Sequence, residues 1–266
     1  MTTKELENIT AQALDLVKEV AGFIKEQLGQ VAAADIADKG VNSLVSYVDR
    51  ESEKRLVAGL KKISPQAVFL TEEETVDTVV GDLKWIIDPL DGTTNFLHQV
   101  PVFAISVGLE YRGTMVAGVV GELMREEYFY AWQGGGAHLN GQRIAVSAAD
   151  KLFDSCICIG LPPAEGVLYQ QTLHLLAEFL PVTRGVRNLG AAAVEAVYVA
   201  CGRFDAFMEQ GLSPWDIAAG AIIVEEAGGK VTDIRGGQDQ VYGRSFVASN
   251  GRLHQALLDA AGTLPG

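Results

Sequence analysis

The chain has 266 residues, 34 acidic and 21 basic, for a formal charge of −13, with 48% hydrophobic and 21% charged residues. This is the balance of a folded globular chain, and its field argues against direct binding of nucleic acid or an anionic membrane surface. At roughly 150 residues per domain the length allows one large domain or two tightly joined ones, and no Pro-, Ser- or charge-rich linker separates two halves.

The N-terminal MTTKELENIT mixes acids with bases, lacks the apolar core of a signal peptide, and no run of 18 apolar residues follows anywhere, so a cytoplasmic location is expected. Apolar residues from Leu6 to Ile24 recur at helical spacing and predict a helix over residues 4–28 that ends near Gly29. A second helix follows Asp49, with Leu56, Val57, Leu60 and Ile63 on its buried face and Pro65 past its end. From Val68 the pattern changes to short apolar runs: AVFL, KWIID, FAISVGLEY, MVAGVVGEL, EEYFYAW and RIAVS read as strands of an antiparallel sheet. Turn chemistry at Tyr111–Thr114 and Asn140-Gly141 joins neighbours.

After residue 150 strands and helices alternate. SCICIG, FDAFM, KVTDI and SFVAS read as strands, and Tyr169–Leu180, Gly190–Ala200, DIAAGAIIVEEA and a last segment ending at Ala261 as helices. Such alternation predicts an α/β plan with covered sheets. Cys156, Cys158 and Cys201 form neither a disulfide spacing nor a CxxC pair and read as small buried residues. The four histidines lie far apart without ligand spacing, which argues against a histidine-based zinc site.

The chemistry concentrates in WIIDPLDGTTNF, residues 85–96, where an apolar strand ends in Asp88, Pro89 and Asp91. Proline fixes its own φ and cannot donate to a ladder, so the strand is expected to turn there and aim both carboxylates at one spot. Two like charges side by side need a shared cation or proton, and hard oxygen ligands at this spacing suit Mg²⁺. A cation would also offset the acidic field for a phosphate-bearing substrate. Gly92, Thr93 and Thr94 then offer backbone N–H groups to a phosphate. The string Asp91-Gly92-Thr93 also resembles haloacid dehalogenase-type phosphatases, but the position of their nucleophilic aspartate is Pro89 here, which rules out a covalent aspartyl-phosphate through this motif. Glu72, Glu73 and Glu74 follow the strand AVFL and are either a solvated loop or a source of one further ligand. Asp216, in GLSPWDIAAGAIIVEEAGGK, is either a helix N-cap or first-turn acid, or a third carboxylate for the same site.

Together the Glu72-Glu73 segment, DPLDGTTNF and WDIAAGAIIVEEAGG stand in an order that resembles the inositol monophosphatase family of Mg²⁺-dependent, lithium-sensitive phosphatases. The resemblance implies a layered αβαβα sandwich formed as one unit over residues 1–266, with an α+β half to about residue 150 and an α/β half beyond, commonly a homodimer. It implies two or three Mg²⁺ ions held by Glu72, Asp88, Asp91, Asp216 and the carbonyl of Leu90, with a water activated with the help of Thr93 and Asp49. Gly92, Thr93 and Thr94 would meet the phosphate, and Gly190, Ala191, Ala192 and Glu209 the polyol hydroxyls. In Lys39–Asp49 an aspartate often occupies the family position of Ser43, which bears on metal number and lithium sensitivity, and Lys39 is a candidate phosphate neighbour.

The expected activity is hydrolysis of a small phosphate monoester, inositol monophosphate first. Fructose 1,6-bisphosphate, histidinol phosphate, adenosine 3',5'-bisphosphate and NADP are the alternatives within the fold. A reading of another class is a regulatory protein that binds the transcription machinery, as some bacterial members of the family do.

Overall fold

The computed structural model describes residues 1–32, 36–40, 43–77, 80–162 and 166–264, without the side chains of residues 38–40, 43 and 44. It is a five-layer αβαβα sandwich. The outer helices are α1 (Thr3–Gln27) and α2 (Tyr47–Ile63), opened by capping boxes at Thr2/Glu5 and Ser46/Asp49. Helix α2 thus begins two residues before Asp49, because Ser46 supplies the cap and Asp49 is its third helical residue. Between the two helices lies a hairpin of β1 (Ala37–Gly40) and β2 (Ser43–Val45).

The second layer is a sheet in the order β3 (Val68–Thr71), β4 (Leu83–Asp91), β5 (Ala104–Tyr111), β6 (Thr114–Glu122), β7 (Glu127–Trp132), β8 (Gly136–Leu139) and β9 (Gln142–Arg143). It is antiparallel as expected except that β3 and β4 run parallel. RIAVS does not continue as a strand. Ile144 still donates to Ala137 O at 2.9 Å, but Val146 turns away to Ala227 O at 3.2 Å, so the segment leaves the sheet for a neighbouring helix end.

A short helix α3 (Thr93–Leu97) follows β4. Beyond β9 come β10 (Cys156–Ile159), α4 (Gly166–Phe179), β11 (Gly185–Arg187), α5 (Ala192–Ala200), β12 (Ala206–Gln210), α6 (Pro214–Glu226), β13 (Lys230–Thr232), β14 (Ser245–Ser249) and α7 (His254–Ala261). The second sheet has the order β11-β10-β12-β14-β13, the first three strands parallel. Helices α5 and α6 lie between the sheets, and α4 and α7 cover the far face.

The middle layer fits because small residues meet across it. Gly108 and Gly118 pair across β5 and β6, and a Cβ on Gly118 would sit 2.7 Å from Ala219 O and 3.0 Å from Ala219 Cα. On the other side of α6, a Cβ on Gly220 would sit 2.7 Å from Ala196 Cβ in α5. The backbone of α6 is thereby held against the sheet, and with it the residues at its start. Gly118→Val should destabilise the fold by ~1–3 kcal/mol through overpacking, despite the better strand propensity of valine, because the obstacle is backbone that cannot rotate away. Urea denaturation followed by circular dichroism measures this, and an unchanged midpoint would contradict the packing described.

Candidate active site

The parallel pairing of β3 with β4 brings two strand ends to the same edge. Thr71 is in register with Ile87, and Glu72 N donates to Ile87 O at 3.2 Å, which sets Glu72 beside Asp88. On β4 the ladder does not stop at Pro89 but runs on to Asp91 through a bulge: Asp88 faces Ser106 and Asp91 faces Ala104. Residues three apart on a regular strand point to opposite faces, and one extra residue returns them to the same one. The bulge is therefore what lets Asp88 and Asp91 address a common point. Asp88 Oδ1 accepts from Leu90 N at 2.9 Å, which stiffens the turn.

Helix α2 supplies the next shell from one face. Asp49, 1% exposed, accepts from Ser46 N at 2.9 Å and Ser46 Oγ at 2.7 Å through Oδ2, leaving Oδ1 to accept from Thr93 Oγ1 at 2.9 Å. The Thr93 hydroxyl also lies 3.0 Å from Leu90 O. One turn on, buried Glu53 accepts from Glu73 N at 2.7 Å and from Thr75 N and Oγ1 at 2.8 and 2.6 Å, which fixes the loop carrying Glu72. The side chains of Lys39 and Ser43 lie outside the described residues.

The other half of the chain arrives through two helix starts. Asp91 accepts from Ala192 N at 3.2 Å and Ala193 N at 2.9 Å, so the positive end of α5 meets its carboxylate. At the start of α6, Ser213 N donates to Asp216 Oδ2 at 2.7 Å, and Ser106 Oγ holds Trp215 O at 3.1 Å. Asp216 is the first-turn acid of this helix, its third residue, as one of the alternatives had it, and Ser106 faces Asp88, so the capping box and the site share one carboxylate. Gly92, at φ 84°, lets the chain close on the second half: a Cβ there would lie 3.2 Å from Ala191 Cβ and 3.3 Å from Gly190 O. Asn95 Nδ2 donates to Val102 O and Leu189 O, both at 2.8 Å, and pins that approach. Thr94 is exposed on α3. Glu209 packs over Gly160, where a Cβ would come within 2.0 Å of its Oε2.

Burial and mutual repulsion dominate the electrostatics. Asp88 is held well above the usual carboxylate range first by burial, then by Glu72, Asp91 and Asp216. Asp91 is raised by burial and by Asp216, against the Ala193 N–H that lowers it. Asp216 rises to about 7, mainly by burial, with Glu72 adding and the Ser213 N–H and Arg244 opposing. Glu209 is pushed up by burial, Glu195, Asp216 and Asp91. Asp216 and Glu209 are densely surrounded yet keep part of their surface open, so water screens some of this repulsion.

The donors are all oxygens and carry a surplus of negative charge, which fits a hard divalent cation. As placed, no group of three acidic, imidazole or thiol side chains among the described residues is set to hold a metal ion. The carboxylates are nonetheless near enough to raise one another.

Three contributors were missed in the sequence. Ser46 and Arg244 act on Asp49 and Asp216 from places that spacing does not reveal. Glu195 is fully buried, accepts from Leu189 N and from Gly190 N at 3.2 Å, and shapes the loop opposite Gly92. Its signal was present: it is the one charged residue in AAAVEAVYVA.

The sequence model of the inositol monophosphatase family matches residues 5–264. An inositol-1-monophosphatase of Mesorhizobium japonicum is 40% identical over 261 residues, 98% of this chain and 97% of its own. A Nus factor SuhB of Pseudomonas aeruginosa is 38% identical over 251 residues, 92% of this chain and 93% of its own. Among solved structures, the extragenic suppressor protein suhB of Bartonella henselae has a TM-score of 0.90 at 37% identity, with 97% of this chain and 98% of that one covered. The chain belongs to the inositol monophosphatase family.

Proposed function

We propose that the protein is a Mg²⁺-dependent phosphatase of small phosphate monoesters, with inositol monophosphate as the first substrate to test. The observation that carries the reading is the convergence of Glu72, Asp88, Asp91 and Asp216 beside a threonine hydroxyl already bonded to a buried aspartate. Glu72, Asp88, Asp91, Asp216 and the Leu90 carbonyl would hold the cation, which when bound acidifies water and offsets phosphate charge. Asp49 Oδ2 is occupied by Ser46, so Oδ1 is the acceptor toward which Thr93 Oγ1 points its proton. The oxygen of Thr93 can then take a proton from an attacking water as it passes its own to Asp49. Gly92 packs against Gly190 and Ala191, so the two segments form one continuous wall along which a polyol would lie, with Glu209 as an acceptor for its hydroxyls.

A second reading, regulation through a protein partner, is favoured by the 38% identity to a relative named a Nus factor. The two readings separate on phosphate release measured with and without Mg²⁺ across inositol 1-phosphate, fructose 1,6-bisphosphate, histidinol phosphate, adenosine 3',5'-bisphosphate and NADP. Mg²⁺-dependent release led by inositol 1-phosphate is expected, with Asp91→Asn at least 10²-fold slower (about 3 kcal/mol). Activity surviving Asp91→Asn would sink the site assignment, and no turnover of any substrate would turn attention to the partner.

Thr93→Val should lower kcat by roughly 10²–10⁴ with KM little changed, whereas Thr93→Ser should keep most of it, as a proton-transfer role requires. A parallel rise in KM with kcat preserved would instead assign Thr93 to binding alone.

Glu195 allows a prediction free of turnover. Burial raises its folded pKa from 4.5 to about 7, so the folded state binds the proton more tightly than the unfolded one. Its contribution to stability is complete below pH 4.5 and is lost as pH rises through 7, on the order of 3 kcal/mol. In chelator, Glu195→Gln should melt higher than the parent at pH 8 and converge with it toward pH 4.5. A constant offset across that range would mean that Glu195 titrates normally.

A further inference from the structure

Helix α2 sends two of its acids to one side and the bases that follow them to another. Asp49 and Glu53 point inward, while Arg50 and Lys54, each one residue on, are exposed and line a cavity of about 490 Å³. Phe23 of α1 and Tyr47 at the start of α2 give it aromatic walls, and Val45 and Ser46 complete the side next to the capping box. Among the described residues its charged lining is three cations against one carboxylate, Glu51. Glu51 is already engaged with Arg55, Nε to Oε1 at 2.9 Å, and the Arg55 guanidinium lies over the Phe23 ring at 3.9 Å. Arg50 and Lys54 have no ion-pair partner among the described residues. In a chain of charge −13 this is a locally positive, concave and partly aromatic spot outside the carboxylate site.

We propose that this cavity is a second ligand site for a small phosphorylated compound with an apolar or aromatic body, and that its occupation slows turnover through α2. Residues four apart on a helix have Cβ atoms about 5–6 Å apart, so the planar fork of Arg50 and the point charge of Lys54 straddle one phosphate. Phe23 and Tyr47 give the body of the compound a surface to bury. The coupling runs through the hydrogen bonds already described. Ser46 lines the cavity and holds Asp49, Asp49 holds Thr93, and Glu53 on the next turn holds the loop of Glu72. A ligand that displaces the first two turns of α2 moves both supports at once.

The slowing of turnover rests on the catalytic reading above; the binding does not. Phenylphosphonate is a suitable probe, because its carbon–phosphorus bond resists hydrolysis. Isothermal titration of the full chain in Mg²⁺ should show one binding equivalent fewer for the Arg50→Gln/Lys54→Gln variant than for the parent, with melting temperatures alike. At saturating substrate, which displaces a competitor from the catalytic site, phenylphosphonate should lower the parent kcat at least twofold and leave that of the variant unchanged. Arg50→Lys/Lys54→Arg, which keeps both charges, should restore the parent behaviour. Equal binding stoichiometry in parent and variant overturns the site whether or not the chain is a phosphatase, and inhibition abolished by saturating substrate overturns the coupling.

Discussion

The structure is organised around a repulsion. Four carboxylates stand at one edge of the seven-stranded sheet, and burial disfavours the ionised forms of Asp88, Asp91 and Asp216. What makes the arrangement tolerable is the direction of its neighbours: two helix starts aim backbone N–H groups at Asp91 and Asp216, and a turn amide does so at Asp88. These donors only partly compensate. The remaining charge would be the driving force for the proposed divalent cation, so the same acids that weaken the fold would give that site its affinity.

The layers exist to keep that edge in place. The glycine pair of β5 and β6 brings the backbone of α6 onto the sheet, and Gly220 brings α5 onto α6. Both helices can then begin at the end of β4, where residues more than a hundred positions apart meet. On the outer face α2 works as a single bracket, with Asp49 and Glu53 one turn apart supporting Thr93 and the Glu72 loop.

The long elements and the acidic motifs were legible because each carries its own pattern. Strand SFVAS is found at Ser245–Ser249, and the helical periodicity of the first segment gives α1 almost to the residue. The parallel β3 was not legible, since four residues at a sheet edge carry no sign of their direction and no helical pattern marks the crossover before β4. Strands β8 and β11, four and three residues long and each opened by glycine, fall below what alternation can detect. In the site, Asp88 and Asp91 stood out, but the device that aligns them was misread: Pro89 lies within a bulge rather than at the end of the strand. Ser46, Glu195 and Arg244 act across distances that sequence spacing does not encode.

The contact between Asp91 and the start of α5 spans about a hundred residues, and Asp216 lies farther on still. Most of the seven-stranded sheet, by contrast, is a meander of neighbouring hairpins that can form from local contacts. Local contacts favour early formation of the β4–β9 meander, so Asp88 and Asp91 would be aligned on β4 before the helices that quiet them dock. A cation present at that stage would favour docking of the second half, and metal supply would act on the yield of folded protein as well as on its chemistry.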